Sequence, residues 1–160
     1  MSDSNDTFHR PEAAQTSSGG AAVNQCAAIC RRPGNVTGSG IEILLITSRD
    51  TQRWVIPKGW SMAKKKPHQV ARREAWEEAG VRGQVSKTPL GYYRYDKKMP
   101  EGERVQCLVQ VHLLDVAALY QDFPEKGQRE LRWFSPAEAA RAVKEPGLQD
   151  IFRRLYSQEN

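Results

Sequence analysis

Glu74, Glu77 and Glu78 stand at i, i+3 and i+4 within Arg73-Glu74-Ala75-Trp76-Glu77-Glu78-Ala79-Gly80-Val81. In a helix of about 3.6 residues per turn this spacing stacks the three carboxylates on one face. Like charges so placed destabilise a helix by roughly 0.2–0.5 kcal/mol per pair, and the last turn is already the negative end of the macrodipole. A nearby cation is therefore expected. Hard divalent ions, Mg²⁺ or Mn²⁺, prefer carboxylate oxygens and keep positions for water and phosphate. Such an ion could lower the pKa of bound water and neutralise charge on a phosphoryl group during in-line displacement. Taken alone, the acidic run also fits a solvated helix face paired with Arg72, Arg73 or Arg82.

The elements that must position these carboxylates follow from the flanking residues. Pro67 suits a first helical position and Gly80 the residue just past the end, so a helix is predicted between them. Ahead of it, Gln25–Cys30 and Ile41–Thr47 read as strands, and the turn-rich stretch 32–40 makes them a hairpin. Arg53–Pro57 reads as a short third strand followed by a loop from Lys58 to Lys66. Beyond it, Gly91–Tyr95 and Val105–Leu114 read as an antiparallel pair separated by the polar stretch 96–104. Arg132–Phe134 is a last short strand. Ser135-Pro136-Ala137-Glu138 offers an N-cap, a first-position proline and a capping-box glutamate for a helix to about Val143. Leu148, Ile151, Phe152 and Leu155 form one face of a closing amphipathic helix. Strands and helices interleave without regular βαβ repeats, which predicts an α/β (α+β) fold with a mixed sheet flanked by helices.

At 160 residues and 39% hydrophobic, the chain suits one domain with a core of ordinary size. Residues 1–24 are rich in small and polar types and read as a flexible tail, with the single domain over 25–157. The amino terminus lacks the basic start and apolar run of a secretory signal, and no stretch is long and apolar enough for a membrane span. Cys26, Cys30 and Cys107 form no CxxC pair and no zinc pattern, so the cytosol is the expected compartment. A net charge of +5 favours anionic ligands.

The wider spacing is more specific than the acidic run. Gly59 is followed by five residues, Lys65, seven residues and then Arg73-Glu74-Ala75-Trp76-Glu77-Glu78-Ala79-Gly80-Val81. This resembles the Nudix box, in which Gly, five residues, Glu, seven residues and Arg-Glu-apolar-any-Glu-Glu-any-Gly-apolar occur in order. Within that family the chain is most similar to the diphosphoinositol polyphosphate and diadenosine polyphosphate phosphohydrolases, through Arg53-Trp54-Val55-Ile56-Pro57, Pro67 and Arg132-Trp133-Phe134. The resemblance covers nearly everything from Gln25 onward and implies a Nudix-type α/β/α sandwich. It implies hydrolysis of a phosphoanhydride, with Glu74, Glu77 and Glu78 binding Mg²⁺ or Mn²⁺ and one of them polarising the attacking water. Arg73 would orient the cluster. A main-chain carbonyl of Lys58, or alternatively Gly59, would add a metal ligand. One position departs from the pattern: Lys65 stands where the family usually has the box's first glutamate, which puts metal affinity and water activation in question. Glu125 and Glu130 are candidates for an additional base.

A polyanionic substrate needs converging cations, arginine for bidentate phosphate contacts and lysine as a point charge. Arg49, Lys58, Lys64, Lys65, Arg94, Lys97 and Arg129 occupy the loops and strand ends around the predicted helix. Each is equally readable as a solvated surface charge. Trp60 could stack on a base or simply pack beside Met62. Tyr92, Tyr93 and Tyr95 alternate, so part of that set is expected in the core, and His68 and His112 receive no chemistry. The leading expectation is a pyrophosphohydrolase of highly phosphorylated small molecules. Removal of pyrophosphate from an RNA 5′ end, and a Nudix-fold binding protein motivated by Lys65, remain open, as does a monomer or a homodimer.

Overall fold

The structure, a computed structural model, describes residues 23–34 and 40–159. Strands β1 (Gln25–Pro33), β2 (Ile41–Thr47), β3 (Trp54–Val55) and β4 (Lys58–Trp60) precede helix α1 (Pro67–Ala79). Strands β5 (Val81–Val85), β6 (Gly91–Lys98), β7 (Arg104–Leu119) and β8 (Leu131–Phe134) follow, and α2 (Pro136–Ala142) and α3 (Pro146–Glu159) close the chain. The eight strands form one sheet ordered β3-β2-β1-β7-β5, with β4 on β1, β6 on β7 and β8 on β2. The sheet is mixed, since β1 runs parallel to β7 and its other neighbours pair antiparallel.

Each face of the sheet has its own core. On one side Ala28, Cys30, Leu44, Ile46 and Leu114 meet Ala71, Ala75 and Ala79 of α1, whose small side chains bring the helix close to the strands. On the other, Ala27, Ile29, Ile43, Val109 and Val111 pack under Ala139, Ala140, Leu148, Ile151, Phe152 and Leu155 of α2 and α3. The result is the expected helix-sheet-helix sandwich. Odd and even residues of β1 therefore serve opposite layers, as strand alternation requires.

Most elements lie where the sequence places them. The first hairpin pairs through Arg31↔Ile43 and Pro33↔Ile41. The α2 capping box forms, with Glu138 N–H on Ser135 Oγ at 3.1 Å and Ser135 N–H on Glu138 Oε1 at 3.0 Å. Three differences concern the site. The expected third strand, Arg53–Pro57, shortens to β3, which pairs with β2 and ends before Pro57, a residue with no N–H to give; Lys58–Trp60, expected as loop, pairs with β1 as β4. Strand β5 was not anticipated. It is short and interrupted by Gly83, where an added Cβ would lie 2.1 Å from the Asp115 carbonyl oxygen at a register shift. Asn24, assigned to the tail, is 4% exposed and exchanges hydrogen bonds with Leu108 through its N–H (2.9 Å) and Oδ1 (2.7 Å). The rest of the tail, residues 1–22, lies outside the described residues.

Candidate active site

Helix α1 ends where Gly80 adopts φ 69° and ψ 26°, a left-handed conformation that favours glycine. A side chain there would also meet the Phe123 ring at 2.5 Å and the Tyr120 carbonyl at 2.7 Å. This close approach seats the 120–130 segment against the last turn of α1, and Glu125 N–H donates to the Glu77 carbonyl at 2.9 Å. Strand β4 also packs against α1, at Glu74 and Glu78. Lys58 N–H donates to Glu78 Oε1 at 3.3 Å. An added Cβ on Gly59 would lie 2.4 Å from both Cδ and Oε2 of Glu74. The structure thus supplies a reason for Gly59 that sequence reasoning did not: the Glu74 carboxyl lies directly on its backbone.

The three box glutamates are held differently. Glu77 is paired with Arg73, whose Nε donates at 2.8 Å, and Arg73 also reaches Met62 Sδ at 3.6 Å. Glu78 Oε2 lies 3.5 Å from Arg129 Nη2, which also meets Glu125 Oε1 at 3.2 Å, while Arg129 Nη1 donates to the Thr47 carbonyl at 3.2 Å. Glu74 has no cationic partner among the described residues. Burial first, then the charge of Glu78 and a hydrogen bond with it, pushes the Glu74 carboxyl up to about 9. Glu78 is also raised by burial, with Arg129 and Lys58 opposing the rise. Burial and their closeness thus both disfavour the simultaneous ionisation of Glu74 and Glu78.

Among the described residues no three carboxylate, imidazole or thiol groups converge on one point. The donor set nevertheless fits a hard divalent ion. Glu74 and Glu78 are neighbouring, desolvated carboxyls short of positive charge, and Glu125 lies in the same electrostatic field. Glu77 could join them by leaving Arg73, a pair that is only partly buried. Such an ion would supply Lewis acidity and an activated water.

Other candidates divide by location. A polar cavity of ≈ 600 Å³ opens beside the cradle, lined by Thr47, Ser48, Arg49, Gln52, Trp54, residues 127–130 and Arg132. Arg49 Nη1 donates to Gln128 Oε1 at 2.8 Å on its wall. Arg129 joins cavity and cradle, and its Nε is buried without a hydrogen-bond partner among the described residues. Lys58 puts its ammonium on the other face of the sheet, 5.4 Å from the Tyr95 ring centroid. Burial there lowers its pKa, with Glu78 opposing and Lys97 adding to the decrease. Lys97 thus joins Lys58, whereas Arg94 occupies the alternate face of β6 and is exposed. Lys64 and Lys65 are exposed in the loop before α1. Glu130 is exposed and paired with Arg132 at 2.9 Å, so Glu125 is the candidate base that shares the carboxylate cluster. Sequence reasoning passed over Arg132 in the cavity wall, which it read only as a strand residue, and Glu145. The latter carboxyl is buried, with Oε2 on Arg53 Nη1 at 3.4 Å and Oε1 unpartnered among the described residues. An acid directly before Pro146, at a helix start, was its one sequence signal.

With this geometry established, the NUDIX domain model matches residues 26–155. The chain belongs to the Nudix family. Nudix hydrolase 12, mitochondrial, of Arabidopsis thaliana is 31% identical over 125 residues, covering 74% of this chain and 62% of that protein. Human diphosphoinositol polyphosphate phosphohydrolase 3-alpha is 28% identical over 106 residues, covering 64% of this chain and 60% of that protein. The chain spans about three fifths of the length of these relatives. Among solved structures, a Caenorhabditis elegans Ap4A hydrolase binary complex aligns with TM-score 0.61 at 18% identity, over 86% of this chain and 97% of that one. A NUDIX hydrolase from Nitrosomonas europaea gives TM-score 0.63 at 16% identity, over 86% and 91%. Both likenesses bear on the fold. In Nudix terms, Gly59 opens the box on β4, Lys65 takes the usual place of its first glutamate in an exposed loop, and Glu74, Glu77 and Glu78 close it on α1. No helix among the described residues is long and apolar enough to cross a membrane.

Proposed function

We propose that this protein is a divalent-metal-dependent hydrolase of phosphoanhydride bonds in highly phosphorylated small molecules, of the diphosphoinositol polyphosphate or dinucleoside polyphosphate class. One observation carries the reading: Arg129 touches Glu78 and Glu125 on one side and lines an arginine-walled cavity on the other. A substrate with several phosphates can place one at the carboxylate cradle and others against Arg49, Arg129 and Arg132, where planar guanidinium forks suit phosphate oxygens. Glu74, Glu77 and Glu78 would hold Mg²⁺ or Mn²⁺, Arg73 would orient Glu77, and Glu125 is the carboxylate best placed to accept a proton from water.

The named relatives include a diphosphoinositol polyphosphate phosphohydrolase, which supports the substrate class. Cys26, Cys30 and Cys107 are buried as thiols rather than as disulfides, and the cytosol is the compartment we propose. The test is phosphate release from an inositol pyrophosphate and from a diadenosine polyphosphate with Mg²⁺ or Mn²⁺, comparing wild type with Glu78→Gln. Wild type should turn over at least one of them. The variant should be slower by roughly two to three orders of magnitude, the rate equivalent of a few kcal/mol of lost charge stabilisation. No turnover of any such substrate by wild type would sink the proposal.

A further inference from the structure

Helix α1 packs on β1, β4, β5 and β7, and the sheet face that it occupies continues past it to a strip on β6 that no helix among the described residues covers. Tyr92 and Arg94 point to this side, opposite to Tyr93 and Tyr95; Tyr92 is 50% exposed and Arg94 is exposed. Tyr92 is the cross-strand partner of Gln110. The Gln110 amide lies 2.9 Å from His112 Nε2, and His112 Nδ1 lies 2.8 Å from the Ser86 carbonyl. A carbonyl only accepts, so Nδ1 carries the proton and Nε2 receives the amide N–H. His112 is thereby fully used and acts as a floor. His68 of α1 stands over it, ring centroids 6.2 Å apart. Lys66 at the N-cap of α1, Arg72 within it and Lys87 after β5 lie within electrostatic range of His68. Lys66, Arg72, Lys87 and Arg94 are all exposed, and none has an acidic partner among the described residues.

Arg94 thus shares the exposed face of β6 with Tyr92, and Lys66, Arg72 and Lys87 gather at the neighbouring His68–His112 pair. Position 68 lies six and ten residues before Glu74 and Glu78, which sets this strip about 9 and 15 Å from them along the axis of α1, and about 120° and 80° around it. Across the sheet, Tyr92, Gln110, Cys26 and Gly59 are in register on four successive strands. Tyr92 is then about 14 Å from Gly59 by three strand spacings. The strip is separate from the cradle and its neighbouring cavity.

We propose that this strip binds single-stranded nucleic acid, with Lys66, Arg72, Lys87 and Arg94 on backbone phosphates and Tyr92 stacked on a base. A row of cations tracking a backbone beside an aromatic platform is the combination that single strands use, because every base offers a ring face. A duplex keeps those faces stacked inside. This surface goes beyond the hydrolase reading and does not depend on it.

The test is anisotropy of labelled single-stranded RNA and DNA of roughly 12 nucleotides, a length suited to such sites, with the full chain at several salt concentrations. Arg72→Glu/Lys87→Glu should weaken binding at least tenfold. It should also make the slope of log affinity against log salt shallower by about 1.4, two contacts at about 0.7 each for single strands. Tyr92→Ala should weaken oligonucleotide binding about fivefold or more, yet leave binding of inorganic polyphosphate unchanged. Preference between the RNA and DNA arms identifies the sugar that is read. Hydrolysis of the small substrate and thermal stability should be unchanged in both variants, and Glu78→Gln should bind oligonucleotide like wild type, which separates this proposal from the hydrolase reading. Unchanged oligonucleotide affinity in the double variant would overturn the proposal. So would an equal loss of polyphosphate and oligonucleotide binding in Tyr92→Ala, the behaviour of a surface that has no base platform.

Discussion

Replacing Gly59 with alanine is the sharpest test of how the cradle is built. The added Cβ would sit 2.4 Å from Cδ and Oε2 of Glu74 and 2.9 Å from its Cγ. An unstrained contact needs about 3.5 Å, so the Glu74 carboxyl must retreat by about 1 Å. A misplacement of that size at a reacting centre costs on the order of 10²-fold in rate. Overpacking of this kind costs about 1–3 kcal/mol, and at about 2–4 °C per kcal/mol for a chain of this size Tm should fall by roughly 2–12 °C. The measurements are kcat at saturating Mg²⁺, the Mg²⁺ dependence of the rate, and thermal unfolding without metal. A double-mutant cycle identifies the clash partner. In a Glu74→Ala background the alanine at position 59 has nothing to strike, so most of its stability cost should vanish, a coupling of about 0.5–3 kcal/mol. An equal cost in both backgrounds would show that Gly59 is required for some other reason, and the account of Glu74 lying on the β4 backbone would be wrong.

Arg129→Met should destabilise the metal-free protein by about 3 kcal/mol, because it leaves Glu78 and Glu125 without their shared cation; Mg²⁺ should restore part of the loss in a thermal melt. Metal-free stability should also depend on pH through Glu74. Its folded-state pKa is raised to about 9 from the ordinary carboxylate range, so its contribution is complete below about pH 4.5 and is lost as pH rises toward 9, at no more than about 1.4 kcal/mol per pH unit. Saturating Mg²⁺ should flatten this dependence, and metal binding near neutral pH should release a proton measurable by titration calorimetry in buffers of different ionisation enthalpy. Lys65→Glu should change the hydrolysis rate by less than about threefold, under 1 kcal/mol of barrier, since Lys65 is exposed and contacts none of the box carboxylates; a tenfold rise would show that the loop reaches the cradle during turnover.

Periodicity and punctuation made the frame of this fold legible. The α1 boundaries followed from Pro67 and Gly80, and the α2 start from Ser135 and Glu138, because each of these residues has a local backbone reason to be there. The elements that escaped are decided by tertiary contact. Val81–Val85 has too little alternation to announce a strand, and β7 alone makes it one. Lys58-Gly59-Trp60 resembles a loop until β1 offers it a hydrogen-bonded edge. For the same reason spacing grouped the box glutamates but could not assign their partners. Arg129 lies 51 positions from Glu78 and meets it only because Gly80 lets the 120–130 segment dock. The seven proposed phosphate contacts divide for a plainer reason: strand parity sends Arg94 and Lys97 to opposite faces of β6, and a count of basic residues in loops carries no parity.

The electrostatic strain implied by three stacked glutamates reduces to a single residue in the folded molecule. Glu77 is neutralised at short range by Arg73 on the same helix, and Glu78 by Arg129 from another segment. Glu74 receives neither arginine. The lysines nearest in sequence, Lys64, Lys65 and Lys66, are directed to solvent, and Lys58 gives the cradle its N–H while its ammonium lies on the other face of the sheet. Among the described residues Glu74 therefore has no cation to meet it and must take up a proton or a cation from beyond them, and it is the carboxyl that β4 accommodates by carrying no side chain at position 59. The missing positive charge and the missing Cβ thus fall at one place. A helix face built only for solvent would need neither, whereas a site that exchanges a proton for a divalent ion needs both.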